Sequence, residues 1–344
     1  MNELLTDGRL LFSVLRGDAR CVLATLPDES VDCCITSPPY FGLRDYGDPG
    51  QIGREAGVTE YVAALAGVFE QVRRVLKPQA TLWLNLGDSY ANDLKWGGRT
   101  SGKHAIGLHH DRAGIAREKR SSGLPGKSLC GIPWRVAFAL QDAGWILRSD
   151  IVWHKPAPLP ESVTDRPTKS HEYVFLLAKS TRYYYDHKAI AEPCTESSHR
   201  RYSQNVRDQQ GSARANGGEK TNGTLKAAHD TSPGMEGMRN RRSVWTVNAA
   251  KSSGAHFAVM PSELVTPMIR AGCPAGGIVL DPFSGTGTTG YVALREGRRY
   301  VGIEINECYA AQSDRRIAGA NLPLDLTSPE YRDGGHERYE GETQ

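Results

Sequence analysis

Between residues 278 and 305 the sequence contains one short unit that leaves few folds open. Ile278 to Leu280 predicts a strand, Thr288 to Glu296 a helix closed by Gly297, and Tyr300 to Ile305 a second strand. The first strand reaches the helix through Asp281-Pro-Phe-Ser-Gly-Thr-Gly-Thr-Thr289. Two glycines separated by one residue let the backbone approach a ligand and offer N–H groups at a helix start. Such a β-α-β unit requires parallel strands, and parallel sheets are covered by helices on both faces.

The same alternation runs through most of the chain. Val31 to Ile35 predicts a strand that delivers Thr36-Ser-Pro-Pro-Tyr40, where neither proline supplies an N–H to continue a ladder. Thr59 to Lys77 carries apolar residues at helical spacing, with Pro78 expected to stop the helix, and Thr81 to Leu86 reads as a strand. Pro133 to Ala143 predicts a helix with proline in its first turn and Gly144 past its end. Strands over Ile146 to Trp153 and His171 to Leu177 follow, giving an α/β fold with a mainly parallel sheet and ligands at the carboxyl ends of its strands.

The chain has 344 residues, enough for one large α/β domain or two smaller ones, and its 39% apolar and 24% charged content excludes general disorder and a membrane protein. The apolar stretch Leu10 to Leu15 ends at Arg16, too short for a signal core or a spanning helix, so a cytoplasmic protein without membrane partners is expected. The cysteines at 21, 33, 34, 130, 194, 273 and 308 are odd in number and form no C-x-x-C pair, so neither a disulfide framework nor a metal site is indicated. Cys33 and Cys34 read as part of a buried strand rather than as a redox pair.

Net charge is only +3, but residues 95–127 hold eight Lys/Arg against two acids and residues 195–243 hold nine against five. Both stretches are rich in Gly, Ser and Asn and lack apolar periodicity, so they read as long loops. Two basic inserts in an otherwise acidic chain point to a polyanion surface. The segment from 321 to 344 is polar and turn-rich and reads as a loosely ordered tail.

The glycine loop suggests a nucleoside cofactor. Glu304 ends the next strand 19 residues after Gly285, where an acid can accept bonds from ribose hydroxyls. Asp281 would be ill placed against a pyrophosphate, which favours a sulfonium amino-acid nucleoside over NAD. A phosphate-binding P-loop is excluded because no Gly-Lys-Ser/Thr follows.

The Ser-Pro-Pro-Tyr loop suits a different task. The lone pair of a nucleobase amino group is delocalised into the ring and nucleophilic only if a site localises it. The Ser37 hydroxyl and a proline-stiffened carbonyl of Ser37 or Pro38 are acceptors for the amino N–H bonds, and Tyr40 offers a face for an extruded base. A proline-stiffened surface turn is the plain structural alternative.

Together, Thr36-Ser-Pro-Pro-Tyr40 and Asp281-Pro-Phe-Ser-Gly-Thr-Gly-Thr-Thr289 closely resemble the DNA amino-methyltransferases, in the circularly permuted group whose catalytic loop precedes its cofactor loop. The resemblance covers about Val31 to Arg316. It extends to Leu82-Trp-Leu-Asn-Leu-Gly-Asp-Ser-Tyr90, Gly144-Trp-Ile-Leu-Arg-Ser-Asp-Ile-Val-Trp-His-Lys-Pro156, Ser170-His-Glu-Tyr-Val-Phe175 and His256-Phe-Ala-Val-Met-Pro261. It implies a Rossmann-like, S-adenosylmethionine-dependent methyltransferase fold in one catalytic domain. Ser37, Pro38, Pro39 and Tyr40 would be catalytic. Asp281, Pro282, Phe283, Ser284, Gly285, Thr286, Gly287, Glu304, His256 and Pro261 would bind the cofactor. Ser262 is expected to cap the helix that follows Pro261, and Pro267 to break or kink it.

In this family a serine at the first loop position goes mostly with cytosine N4, and aspartate or asparagine mostly with adenine N6. Ser37 therefore implies N4-methylation of cytosine in double-stranded DNA, with adenine N6 as the alternative. Ring-carbon methylation would need a cysteine in the loop, where Ser37 stands. The resemblance leaves a cognate restriction endonuclease open, and the chain is expected to be a monomer or homodimer. Arg44 is read either as a phosphate contact or as half of a surface ion pair. Residues 181–245 are expected to recognise the target sequence, with Arg200, Arg201, Arg239, Arg241 and Arg242 reaching guanine edges or phosphates. The 95–127 insert, with Lys103, Arg112, Arg117, Lys119 and Arg120, is expected to be mobile and to close over DNA.

Overall fold

The computed structural model describes residues 11–42, 48, 50–91, 122–158, 160–194, 237–249 and 260–320. They fall into two compact units, one running to Tyr184 and resuming at Ser243, the other spanning Tyr185–Arg242.

In the larger unit, eight strands among the described residues form one sheet: β1 (Phe12–Arg16), β2 (Val31–Thr36), β3 (Leu76–Leu86), β4 (Ile146–His154), β5 (His171–Ala178), β8 (Val244–Thr246), β9 (Ile278–Asp281) and β10 (Arg299–Glu304). Their order is β1-β10-β9-β2-β3-β5-β4-β8. Every neighbouring pair is parallel except those made by β5, which runs against both β3 and β4. The expected mainly parallel sheet is present, with β5 as its reversed strand.

The helices are α1 (Ala19–Leu23), α2 (Val58–Val75), α3 (Ile132–Asp142), α4 (Ser262–Gly272), α5 (Thr288–Arg295) and α6 (Glu307–Ala318). Periodicity explains α2: Val58, Tyr61, Leu65, Val68, Phe69, Val72 and Val75 all turn inward and are buried. Central strands are buried on both faces, so Cys33, Cys34 and Ile35 of β2 have no exposed surface. Burial pushes the Cys33 thiol up to about 12 and the Cys34 thiol well above its ordinary range, so neither is a poised nucleophile.

Prolines and caps differ from expectation in three places. Pro78 does not stop α2: Leu76 is already extended, and β3 runs straight through Pro78. The proline lies where the β2–β3 register shifts, between the pairs Val31–Leu76 and Cys33–Thr81, so no ladder bond is asked of its missing N–H. Pro267 does not break α4, which continues to Gly272. Ser262 is the first helical residue rather than the cap, a position taken by extended Pro261. Leu264 and Val265 bond back to the Pro261 carbonyl, and the Thr266 hydroxyl donates to Ser262 O, which helps tie down the turn before the proline.

The smaller unit has a short 3-10 turn, Lys188–Ile190, and an antiparallel pair, β6 (Glu192–Pro193) with β7 (Met238–Arg239). Among the described residues no helix is long and apolar enough to cross a membrane.

Candidate active site

Within the eight-stranded sheet all strands but β5 point the same way, so β1, β2, β9 and β10 release their carboxyl ends along one edge of that sheet. β5 is reversed, and its first residues, His171 and Glu172, come to that same edge beside the last residues of β3 and β4. Both sequence-predicted loops open here. Ser37, Pro38 and Tyr40 line one cleft together with Asp281, Pro282, Phe283, Ser284, Gly285, Thr286 and Glu304. Thr36 and Asp281 join the two loops directly, across 245 positions of chain, by a hydroxyl-to-carboxylate bond of 2.6 Å.

Asp281 is 2% exposed. Its Oδ1 also accepts the Phe283 N–H at 3.0 Å, and its Oδ2 accepts the Thr289 hydroxyl at 2.7 Å. Burial pushes the carboxyl up to about 6 against the pull of these donors. The residue therefore ties the end of β9 to the Ser-Pro-Pro-Tyr loop and to the start of α5, besides facing the cleft. Glu304 is arranged similarly: Oε2 accepts Gly285 N–H at 2.8 Å and Oε1 accepts Asn306 N–H at 2.9 Å. Burial raises it to about 7.

The two loop glycines have different reasons to be glycine. Both hold left-handed backbone, Gly285 at φ +54° and Gly287 at φ +75°. A Cβ on Gly287 would sit 2.4 Å from Ser313 Oγ, so close packing of α6 also demands glycine there. A Cβ on Gly285 would meet nothing nearer than 4.0 Å, which leaves its backbone open to the cleft.

Tyr40 is pinned from several sides. Its hydroxyl donates to Glu172 Oε2 at 2.7 Å, lies 3.3 Å from Asn85 Oδ1 and accepts from Ser37 Oγ at 3.4 Å. Burial, and after it the Glu172 charge, raises this phenol well above its ordinary range, so it stays a protonated donor. The ring packs over Gly87, where a Cβ would fall 2.6 Å from Tyr40 Cε2. Pro39 is held from the helical side, its carbonyl accepting the Tyr61 hydroxyl at 2.7 Å.

Asn85, Glu172 and Lys155 are not among the residues that the sequence singles out, although each sits inside a quoted block. Nothing local marks them, since only the sheet order places β3, β5 and β4 side by side. Asp18, Gln51, Ile52 and Tyr309 also line the cleft without a sequence signal, whereas Met260 lines it from within the 256–261 block that carries the resemblance. Arg239 and Arg242 both pair with Glu192, at 2.9 and 2.7 Å, within the smaller unit. Burial lowers Arg241 below its ordinary range. Arg44, Arg200, Arg201, His256, the five named basic residues of the 95–127 insert and the 321–344 tail lie outside the described residues.

An edge at which a glycine loop and a proline-stiffened acceptor loop share one cleft defines a group-transfer enzyme of Rossmann-like type. Residues 31–315 match the DNA methylase model of the N6/N4 methyltransferases, and the chain belongs to that family. It is 44% identical over 313 residues to the type II methyltransferase M.Cfr9I of Citrobacter freundii, covering 91% of this chain and 89% of that protein. Among solved structures, the fold is similar to the PvuII cytosine-N4-specific DNA methyltransferase, with TM-score 0.58, 19% identity and coverage of 93% and 91% of the two chains. It is also similar to a Thermus thermophilus protein in complex with S-adenosyl-L-methionine, with TM-score 0.53, 21% identity and coverage of 89% and 93%.

Proposed function

We propose that this DNA methyltransferase modifies the exocyclic N4 of a flipped cytosine at a fixed site in double-stranded DNA, using S-adenosylmethionine. The observation that carries the reading is that both loops line one cleft and are joined by the Thr36–Asp281 bond. The character of the cleft supports the cofactor. Asp18, Asp281 and Glu304 line it, and among its described lining residues there is no lysine or arginine. Asp18 is paired with Arg20, but the carboxylates of Asp281 and Glu304, once ionised, suit a cationic nucleoside better than a pyrophosphate.

When bound, S-adenosylmethionine would supply a methyl group on a sulfonium for in-line transfer to the amino nitrogen without a covalent enzyme intermediate, the neutral thioether leaving and the surplus amino proton passing to Ser37 or water after transfer. Glu304 would hold the ribose hydroxyls, its two oxygens already fixed in place by backbone N–H groups. Phe283 and the open backbone at Gly285 would meet the rest of the nucleoside, as would Pro282, Ser284, Thr286 and Gly287. Pro261 and His256 would lie toward the methionine end. Ser37 accepts an amino N–H of the base, which draws the nitrogen lone pair out of the ring, and Tyr40 holds the base. Pro38 and Pro39 keep the loop rigid, so alignment costs little at the moment of reaction. Arg241, and Arg239 and Arg242 beside Glu192, would meet DNA from the smaller unit, and Arg44, Arg200 and Arg201 would add phosphate or base contacts.

Ser37 in the first loop position supports cytosine over adenine. Similarity to type II methyltransferases supports a role beside a cognate restriction endonuclease. Incubation with duplex DNA and methyl-labelled cofactor, followed by nucleoside mass spectrometry, should yield N4-methylcytosine. N6-methyladenine would overturn the choice of base, and the absence of any methylated base would overturn the whole reading.

A further inference from the structure

We propose that Glu172 is a positioning residue of this reaction, which fixes the Ser37 hydroxyl as a hydrogen-bond acceptor by taking the proton of Tyr40. The proposal rests on the role given to Ser37 above and adds a reason why that hydroxyl faces the amino group with lone pairs rather than with its hydrogen.

A phenol has one proton to give, and two acceptors compete for that of Tyr40. Glu172 Oε2 is 2.7 Å away and Asn85 Oδ1 is 3.3 Å away. The shorter bond to the carboxylate is the stronger. Asn85 itself is oriented by its amide nitrogen, which donates to Glu172 Oε2 and to the Tyr173 carbonyl, both at 3.1 Å. With its proton committed to Glu172, the Tyr40 oxygen can only accept, and the donor within reach is Ser37 Oγ at 3.4 Å. A serine hydroxyl has one hydrogen and two lone pairs. Directing the hydrogen to Tyr40 leaves both lone pairs for amino N–H donors.

The far end of this chain is anchored as a one-way acceptor would need. Glu172 is 9% exposed, and its other oxygen, Oε1, is salt-bridged to Lys155. The Lys155 ammonium is in turn held 4.2 Å from the centre of the Trp153 ring. The carboxylate is thus fixed by an ammonium on one side and by two donors on the other. A brace serving stability alone needs only the shape of the side chain. A directional chain needs a group that cannot donate, and glutamine at 172 has the shape but can donate to Tyr40 and reverse the chain.

The test is kinetic, on the full chain. Glu172→Gln should lower kcat for methyl transfer to DNA by at least about tenfold, while the dissociation constant for S-adenosylmethionine stays within twofold of wild type. Tyr40→Phe, which leaves the Glu172–Lys155 pair intact, should lose kcat by a comparable factor. In the Tyr40→Phe background, Glu172→Gln should then cost less than twofold more, because the link it acts through is already gone. The proposal is overturned by a full kcat in either single variant, or by equal losses from Glu172→Gln with and without the Tyr40 hydroxyl. Should Glu172→Gln fail to fold, Tyr40→Phe decides alone. A wild-type enzyme that methylates no base would instead defeat the function proposed above, so the two failures are distinct.

Discussion

Two buried acids at the cleft, Asp281 and Glu304, sit where burial raises them to about 6 and about 7. For an acid raised in the folded state, the protonated form contributes stability that is fully present below the ordinary carboxylate range. That contribution is lost as pH climbs through the raised value. The melting temperature of the ligand-free protein should therefore fall between pH 5 and pH 7.5, and the fall should shrink in Glu304→Gln. Ribose hydroxyls donating to Glu304 favour its charged form, so cofactor binding should release protons near pH 6.5 and strengthen as pH rises through that range. Calorimetry in buffers of different ionisation enthalpy would show the release, and Glu304→Gln should remove it. A second expectation concerns Gly87. Gly87→Ala would drive a Cβ into the Tyr40 ring, 2.6 Å from Cε2. It should cut kcat at least about tenfold with cofactor affinity unchanged in titration. At this scale the sequence exposes the residues that form contiguous motifs, Ser37 to Tyr40 and Asp281 to Thr289. It hides Asn85, Lys155 and Glu172, which are made neighbours only by hydrogen-bonding register between distant strands.

Helices and strands with strong local periodicity are legible, and those defined by pairing are not. The α2 stripe and the β-α-β around the glycine loop can be read directly. β1 has an intermediate burial pattern and only five residues, and its partner β10 lies almost the whole chain away. β8 is three residues of edge strand, a length at which alternation has no meaning. α6 leaves little trace in the sequence because its buried positions, Ala310, Ser313 and Ile317, make only a thin stripe on an otherwise polar helix. Proline misleads most: at Pro78 the missing N–H falls where the strand register shifts, and at Pro267 the helix continues in spite of the missing N–H. The junction of α4 with the sheet is tight: a Cβ on Gly272 would stand 2.3 Å from Trp83 Nε1 and 2.9 Å from Thr81 Oγ1. Gly272→Ala should destabilise the fold by about 1–3 kcal/mol, the usual cost of overpacking. Denaturant titration would register this as a lower midpoint with an unchanged slope.

For the molecule as a whole, the uneven charge predicts how DNA binding responds to salt. The stretches 95–127 and 195–243 carry all of the positive excess, while the remaining chain is net acidic. Affinity for DNA should fall steeply, by a constant power of salt concentration, whereas binding of the cofactor in its acidic cleft should weaken only slightly. Fluorescence titrations at several salt concentrations would separate the two. The strand order adds a further consequence. β1 lies beside β10 at the sheet edge, and Arg16 at its end is 3.0 Å from Glu307 at the start of α6. The first and last elements described are thus next-door neighbours. A rearranged gene that opens at α4, passes through β9, β10 and α6, and only then enters β1 would wind the same sheet with every strand in its present company. Its product should fold and keep the Thr36–Asp281 bond, because that bond depends on which strands are adjacent and not on which of them the ribosome makes first.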